Sequence, residues 1–186
     1  MNLKEHKRKT LALIEELNKD NESLTDDPDI EAKFNDVTNQ VMFELARVKK
    51  IAKYVEFPVT AGSLLTFEDI GREVGYDIYQ LATVGGVNIS FKADGTVIKV
   101  LESGTIEVEC YVYPERITDE TPDNYEFELS ADVLELMPYG VAADLLKSDV
   151  SSEYGGVYSA RYETMLQRLD PRNHVTSIYI DGGVSI

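Results

Sequence analysis

Apolar residues step by three and four through Ile30, Phe34, Val37, Val41, Leu45, Val48 and Ala52, with charged and amide residues between them. That spacing keeps one face of an α-helix apolar and predicts a helix over 28–54, roughly 39 Å long at about 1.5 Å per residue. Asp27 supplies an N-cap, and Pro28 suits the first helical position, where a missing N–H is not needed. Upstream, Leu3, Thr10, Leu13, Ile14 and Leu17 predict an amphipathic helix over 3–19. The polar run DNESLTDDPD over 20–29 reads as the loop between the two.

The pattern changes at Phe57-Pro58, where helical spacing gives way to alternation and turn residues. A short helix of one or two turns fits LTFEDIGREV over 65–74. Strands are predicted over 77–82, 86–92, 96–102, 105–113 and 125–129. Asp94-Gly95 sits between two of them as a hairpin turn, because glycine tolerates positive φ. Ser103-Gly104 marks a second tight turn, so three strands are expected to run as an antiparallel meander. In the third, Ile106, Val108, Cys110 and Val112 share one face, and Glu107, Glu109, Tyr111 and Tyr113 share the other. The first set faces a core; the second faces water or a partner. The polar loop PERITDETPDN over 114–124 is expected to project from the sheet.

Ser130 is placed to cap a further helix, which Pro138 is expected to end or kink. A last helix ends at Asp170, since Pro171 cannot continue it, and carries a stripe of Tyr154, Tyr158, Tyr162, Met165 and Leu169. That stripe is expected to pack on the helix over 28–54; an oligomer contact is the other reading. The fold class is therefore α+β: a four-segment helical bundle (1–54 and 130–170), an inserted antiparallel β domain (55–129) and a strand-like C-terminal tail (171–186). The tail HVTSIYIDGGVSI suits strand addition to a neighbour's sheet edge, an intramolecular edge strand or a frayed end equally.

Charge narrows the functional classes. Against 34 acids stand 18 bases, a formal net charge of −16. A sequence-independent DNA binder needs cations on phosphates, and this balance opposes it. The local basic cluster Lys4, Lys7, Arg8 and Lys9 reads as the solvated face of the first helix. Strong acidity suits a partner with a basic docking surface. No apolar run approaches the ~20 residues that span a bilayer, and the N-terminus lacks the apolar core of a signal peptide, so an intracellular origin without membrane insertion is expected. The lone Cys110 agrees with that compartment.

Catalytic motifs are missing. GxSxG, HExxH and GxxxxGK[ST] do not occur, and neither His6 nor His174 lies in a ligand pattern. Cys110 reads as a core residue on a strand face. Asp27, Asp29 and Glu31 mimic the start of a calcium loop but lack its central glycine and distal glutamate; carboxylates at a helix start are favourable without any metal. No catalytic residue, cofactor or metal ligand is assigned. A hydrolase using scattered carboxylates remains as an alternative that no spacing selects.

The stretch SADVLELMPYGVAADLLKSDVSSEYGGVYSARYETMLQRLD resembles the C-terminal half of tailed-phage head–tail connector or adaptor proteins. The resemblance is carried by Leu136, Pro138, Ala142, Ala143, Leu145, Leu146, Asp149, Tyr158, Tyr162 and Leu169. In outline the chain is similar to the tail tubular A proteins of short-tailed phages, a helical bundle with a β insertion. The resemblance implies a virion neck component made in the bacterial cytoplasm. Its copies would form a ring, a dodecamer, beneath the portal protein, dock the tail proteins and let DNA pass without specific binding. Another phage tail or baseplate subunit is the nearest alternative. Partner contacts are expected at Glu107, Glu109, Tyr111 and Tyr113 on the sheet, and at Val175, Ile178, Tyr179 and Ile180 in the tail.

Overall fold

The chain opens with a helix fixed at both ends by its own residues. In a computed structural model that describes residues 1–20, 22–91, 97–148 and 153–169, α1 spans Leu3–Leu13. Asn2 and Glu5 cap it reciprocally: the Glu5 N–H donates to Asn2 Oδ1 at 2.8 Å and the Asn2 N–H to Glu5 Oε2 at 3.2 Å. The helix stops well short of residue 19. Glu15 adopts φ 63°, and the Glu16 N–H reaches back to the Leu11 carbonyl at 2.9 Å. This five-residue reach across a left-handed residue is the Schellman closure that glycine usually makes.

Helix α2 spans Pro28–Val48 with Asp27 as N-cap, its carboxylate accepting from the N–H groups of Asp29 and Ile30. It ends six residues before the expected 54. Ile51–Val59 is instead a strand, β1, and the reason is visible in its alternation. Ile51, Val55 and Phe57 turn to a core, while Ala52, Tyr54 and Glu56 turn out. Then follow β2 (Leu64–Thr66), α3 (Phe67–Val74), β3 (Ile78–Gly85), β4 (Ile89–Phe91), β5 (Val97–Val100) and β6 (Gly104–Val112). Thr66 and Asp69 form a capping box on α3, and Gly75 closes it in the left-handed region at φ 80°.

The strands make two antiparallel sheets, ordered β1-β6-β3 and β2-β5-β4. The expected β4–β5 pairing is present; its Asp94-Gly95 turn lies outside the described residues. The expected meander is not. After β5 the chain passes to the other sheet, where β6 pairs with β1 along its whole length, from Ile51↔Val112 to Val59↔Gly104. Stacking two sheets covers apolar faces that one sheet would leave wet. Phe57, Ile106, Val108, Cys110 and Val112 from one sheet close on Ile98 from the other and Ile70 from α3.

Residues 125–129 form no strand. They cross the start of α1, where the Leu3 and Lys4 N–H groups donate to the carbonyls of Tyr125 and Asp123, and a single bridge joins Asn2 to Glu126. The loop over 114–124 does not project either. Ile117 is buried, and Asn39 of α2 grips its backbone from both sides: Nδ2 donates to the Ile117 carbonyl and Oδ1 accepts its N–H, both at 2.8 Å.

Helix α4 spans Ala131–Leu145 and continues through Pro138. A short 3₁₀ turn over Leu146–Ser148 follows, and α5 covers Glu153–Leu169. Ser130 occupies the N-cap of α4 without a side-chain capping bond. Pro138 does not end the helix because α1, α2 and α5 pack around α4 and bury that proline. The tyrosine stripe of α5 meets chiefly α4. Tyr162 is buried and reaches α2 through a bond to Glu44 at 2.9 Å; Tyr158 donates to the Leu13 carbonyl; Tyr154 is exposed. The structure is thus mixed α+β, with a helical lobe and a β lobe placed between α2 and α4 in the chain. The tail over 171–186 lies outside the described residues.

Two stability tests follow from the helical lobe. Asn39→Leu strips both partners from a buried backbone group, and its cost is about 3 kcal/mol. For a chain of this length Tm should fall by roughly 6–12 °C in thermal unfolding. His6 is fully buried between Phe34 and Phe127, and burial, with Lys9 and Lys7 adding to it, lowers its pKa from 6.5 to about 3. Below pH 6.5 the unfolded chain takes up a proton that the folded chain refuses, so stability falls as pH drops from 6.5 towards 3. In His6→Leu the loss of stability between pH 7 and pH 5 should be smaller by about 2 kcal/mol than in the parent, measured by urea unfolding.

Candidate interaction surface

The face of the β1-β6-β3 sheet turned away from its core collects Glu107, Glu109 and Tyr111 of β6, followed by Tyr113. The register places Ala52, Tyr54 and Glu56 of β1 opposite Tyr111, Glu109 and Glu107. From the other side β3 contributes Gln80 opposite Tyr111 and Thr83 opposite Glu109. Shifts of register beside Gln80 and Thr83 bring the Tyr79 ring onto this face.

The face has two ends of different chemistry. At the end nearer α2, aromatic rings stand in a row: Phe43 lies 4.9 Å from Tyr113, Tyr113 lies 4.7 Å from Tyr79, and Tyr79 lies 6.5 Å from Tyr111. Cations cover them, with Arg116 over Phe43, Arg47 over Tyr113 and Lys50 over Tyr111. Arg47 also donates to the Tyr113 hydroxyl, and Lys50 to Gln80. The Tyr79 hydroxyl donates to the Ala46 carbonyl at 2.8 Å, one of the last carbonyls of α2 that no helical N–H can reach. Burial raises the Tyr79 pKa, so the phenol stays a donor. Tyr113 is therefore a partner of α2 within the chain, and Tyr111 is held beside it by Tyr79 and Lys50.

At the far end the face is acidic and open. Glu56 and Glu107 stand directly opposite each other, both exposed, with Glu109 beside them. Tyr54 is 59% exposed and donates to Glu56 at 2.6 Å; that bond, with burial and Glu107 behind it, pushes the phenol up to about 12. Thr83 donates to Glu109. None of the three carboxylates has an ion pair among the described residues. Like charges set directly opposite each other across strands are unfavourable, so this end keeps an arrangement that folding alone does not ask for.

Of the expected contact residues, the sheet set thus divides between a joint (Tyr111, Tyr113) and an open acidic end (Glu107, Glu109). Val175, Ile178, Tyr179 and Ile180 lie outside the described residues. Tyr54, Glu56 and Tyr79 complete the face and were not anticipated. The signal for the first two was the alternation beginning at Ile51, overshadowed by the helical spacing that runs into it.

Other candidate chemistry is placed as follows. Cys110 is fully buried, and burial raises its thiol pKa, with Glu109 adding to it. Asp27 caps α2, and Asp26 accepts a bond from Asn18. No group of three His, Cys, Asp or Glu side chains among the described residues is placed to hold a metal ion. No helix among them is long and apolar enough to cross a membrane. In the basic cluster, Lys4 pairs with Asp123 at 3.4 Å, Lys7 lies over Phe34, and Arg8 and Lys9 are exposed.

Replacing one carboxylate of the opposed pair should relieve the repulsion. Glu107→Gln is expected to raise Tm by about 1–2 °C at low salt. The gain should vanish in high salt, where screening already weakens the repulsion. Scanning calorimetry at both salt concentrations checks it. Comparison with protein-family models and with curated proteins returns no match for this chain.

Proposed function

We propose that this chain is a structural subunit of a tailed-phage particle, a head–tail connector or adaptor that forms a ring beneath the portal and docks the tail. The observation that carries the reading is the arrangement of the residues behind the resemblance. Leu136, Pro138, Ala142, Ala143 and Leu145 are buried in the one helix that the other helices surround, and Tyr162 crosses from α5 to α2 beside them. The β lobe enters between α2 and α4, as an insertion in a helical bundle would. On this reading the four helices α1, α2, α4 and α5 are the bundle, the open acidic end of the sheet is a docking surface, and the role is assembly rather than turnover. A ring of chains this acidic would line a channel through which DNA slides without adhering.

The test begins with the genome that carries this chain: a portal gene in it supplies the binding partner, and a genome without one would overturn the reading. Mass photometry of the full chain, alone and with purified portal rings, should show a ring-sized complex that saturates at one copy per portal subunit. Antibody labelling of particles should place the chain at the neck. Saturation at another ratio, no binding to portal, or label at the tail tip or baseplate would overturn the connector reading.

A further inference from the structure

Between α1, α4 and α5 runs a groove of about 480 Å³ that none of the described elements fills. Its floor is a strip of α4, the helix otherwise enclosed on its other sides. Leu134, Pro138 and Tyr139 form that floor, with Leu13 of α1 and Met165 of α5 as the apolar walls. Tyr158 ties the walls together, its hydroxyl donating to the Leu13 carbonyl. That bond fixes the α1 and α5 walls relative to each other.

Its rim carries the charge that the chain as a whole does not. Lys9 stands on the α1 side and Arg161 on the α5 side, the guanidinium carbon 4.4 Å from the centre of the Tyr139 ring. Neither has an ion pair among the described residues. Glu135 is the one acid at the groove among the described residues. In a chain of net charge −16, an apolar slot flanked by two unpaired cations is a local reversal of sign. An acidic segment with an apolar stripe matches both floor and rim.

We propose that this groove seats an amphipathic helix of a partner protein, its apolar side chains on Leu134, Pro138 and Met165 and its acidic flank against Lys9 and Arg161. A helix fits better than a strand because the groove is walled by helices and offers side-chain ridges in place of a free sheet edge. The inference stands on the groove alone, whether or not the chain belongs to a phage neck.

Three synthetic 15-residue peptides test it, each with leucines at i, i+3, i+4 and i+7 and a polar face of acidic, neutral or basic residues. Fluorescence anisotropy with the full chain at low salt should rank them acidic, neutral, basic, with at least roughly a tenfold span in Kd. The double reversal K9E/R161E replaces two exposed rim residues and removes the Arg161 contact with the Tyr139 ring, and it should invert the order without altering the circular dichroism. Equal binding of all three, no binding of any, or an order unchanged by the reversal would overturn the proposal. So would sedimentation showing a dimer of the full chain that K9E/R161E dissociates, since a second copy would then hold the groove. The portal-binding measurement is separate, so either idea can fail alone.

Discussion

Helix α4 is apolar around most of its circumference, and the helical lobe is arranged around that fact. Nine of its fifteen residues are buried, which is more than one stripe of a helix can supply. A helix apolar nearly all round needs cover from several sides, and α1, α2 and α5 provide it. At Gly140 the packing is tight: an added Cβ would sit 2.8 Å from the Tyr162 ring and 2.9 Å from Val41 Cγ1. Glycine there lets α2 and α5 converge on α4 at one level. Tyr162 then spans to Glu44 of α2, and burial with that carboxylate raises its pKa, so the phenol remains the donor in the bond. The side left uncovered is the groove.

The two lobes are joined by more than the peptide bonds at Lys49 and Lys50. The last turn of α2 lies against the sheet through Phe43, the Ala46 carbonyl and Arg47, meeting Tyr113 and Tyr79. Each cation–π contact at such a partly exposed site contributes only about 0.5–1 kcal/mol. Their value lies in number and direction, because they act on the same two turns of one helix. The loop from β6 to α4 adds a second tie, with Asn39 holding Ile117 and the cation Lys53 of β1 lying 3.5 Å from Glu128. The aromatic tie and the Asn39 bonds both anchor on α2. A strut that carries the helical core on one face and the sheet on its last turn fixes the relation between lobes.

How much of this could be read from residues alone divides along physical lines. Helix starts were legible: Asp27-Pro28 caps α2 through local bonds that need no distant partner. Helix ends were not. The closure of α1 uses Glu15 in a conformation favoured by glycine, so the composition carried no sign of it. The end of α2 was hidden because Val48 and Ala52 keep helical spacing while Ile51, Val55 and Phe57 keep strand spacing, and only the nine-residue pairing with β6 decides between them. The faces of β6 were legible from alternation. Which strands it would pair with was not, because that choice depends on burying two sheets against each other. The site split for the same reason. Exposure of Glu107 follows from one strand's pattern, but the contact of half-buried Tyr113 with Phe43 and Arg47 needs knowledge of where α2 stops.

These constraints bear on what the chain can do at two places. The acidic end of the sheet and the basic-rimmed groove lie on different lobes, and their chemistries call for partners of opposite charge. On the proposed reading, one subunit touches two different neighbours, and the joint at Tyr79 and Tyr113 sets the geometry between the contacts. A flexible linker would leave that geometry to chance and add an ordering cost on each engagement. Here the cost is met when the chain folds, by ring stacking and by the hydrogen bond to a helix carbonyl that would otherwise lack a donor. An adaptor between two bodies needs a fixed angle between its contact surfaces more than a strong grip at either one. The aromatic joint supplies the first, and modest charge complementarity at each surface suffices for the second when many copies act together.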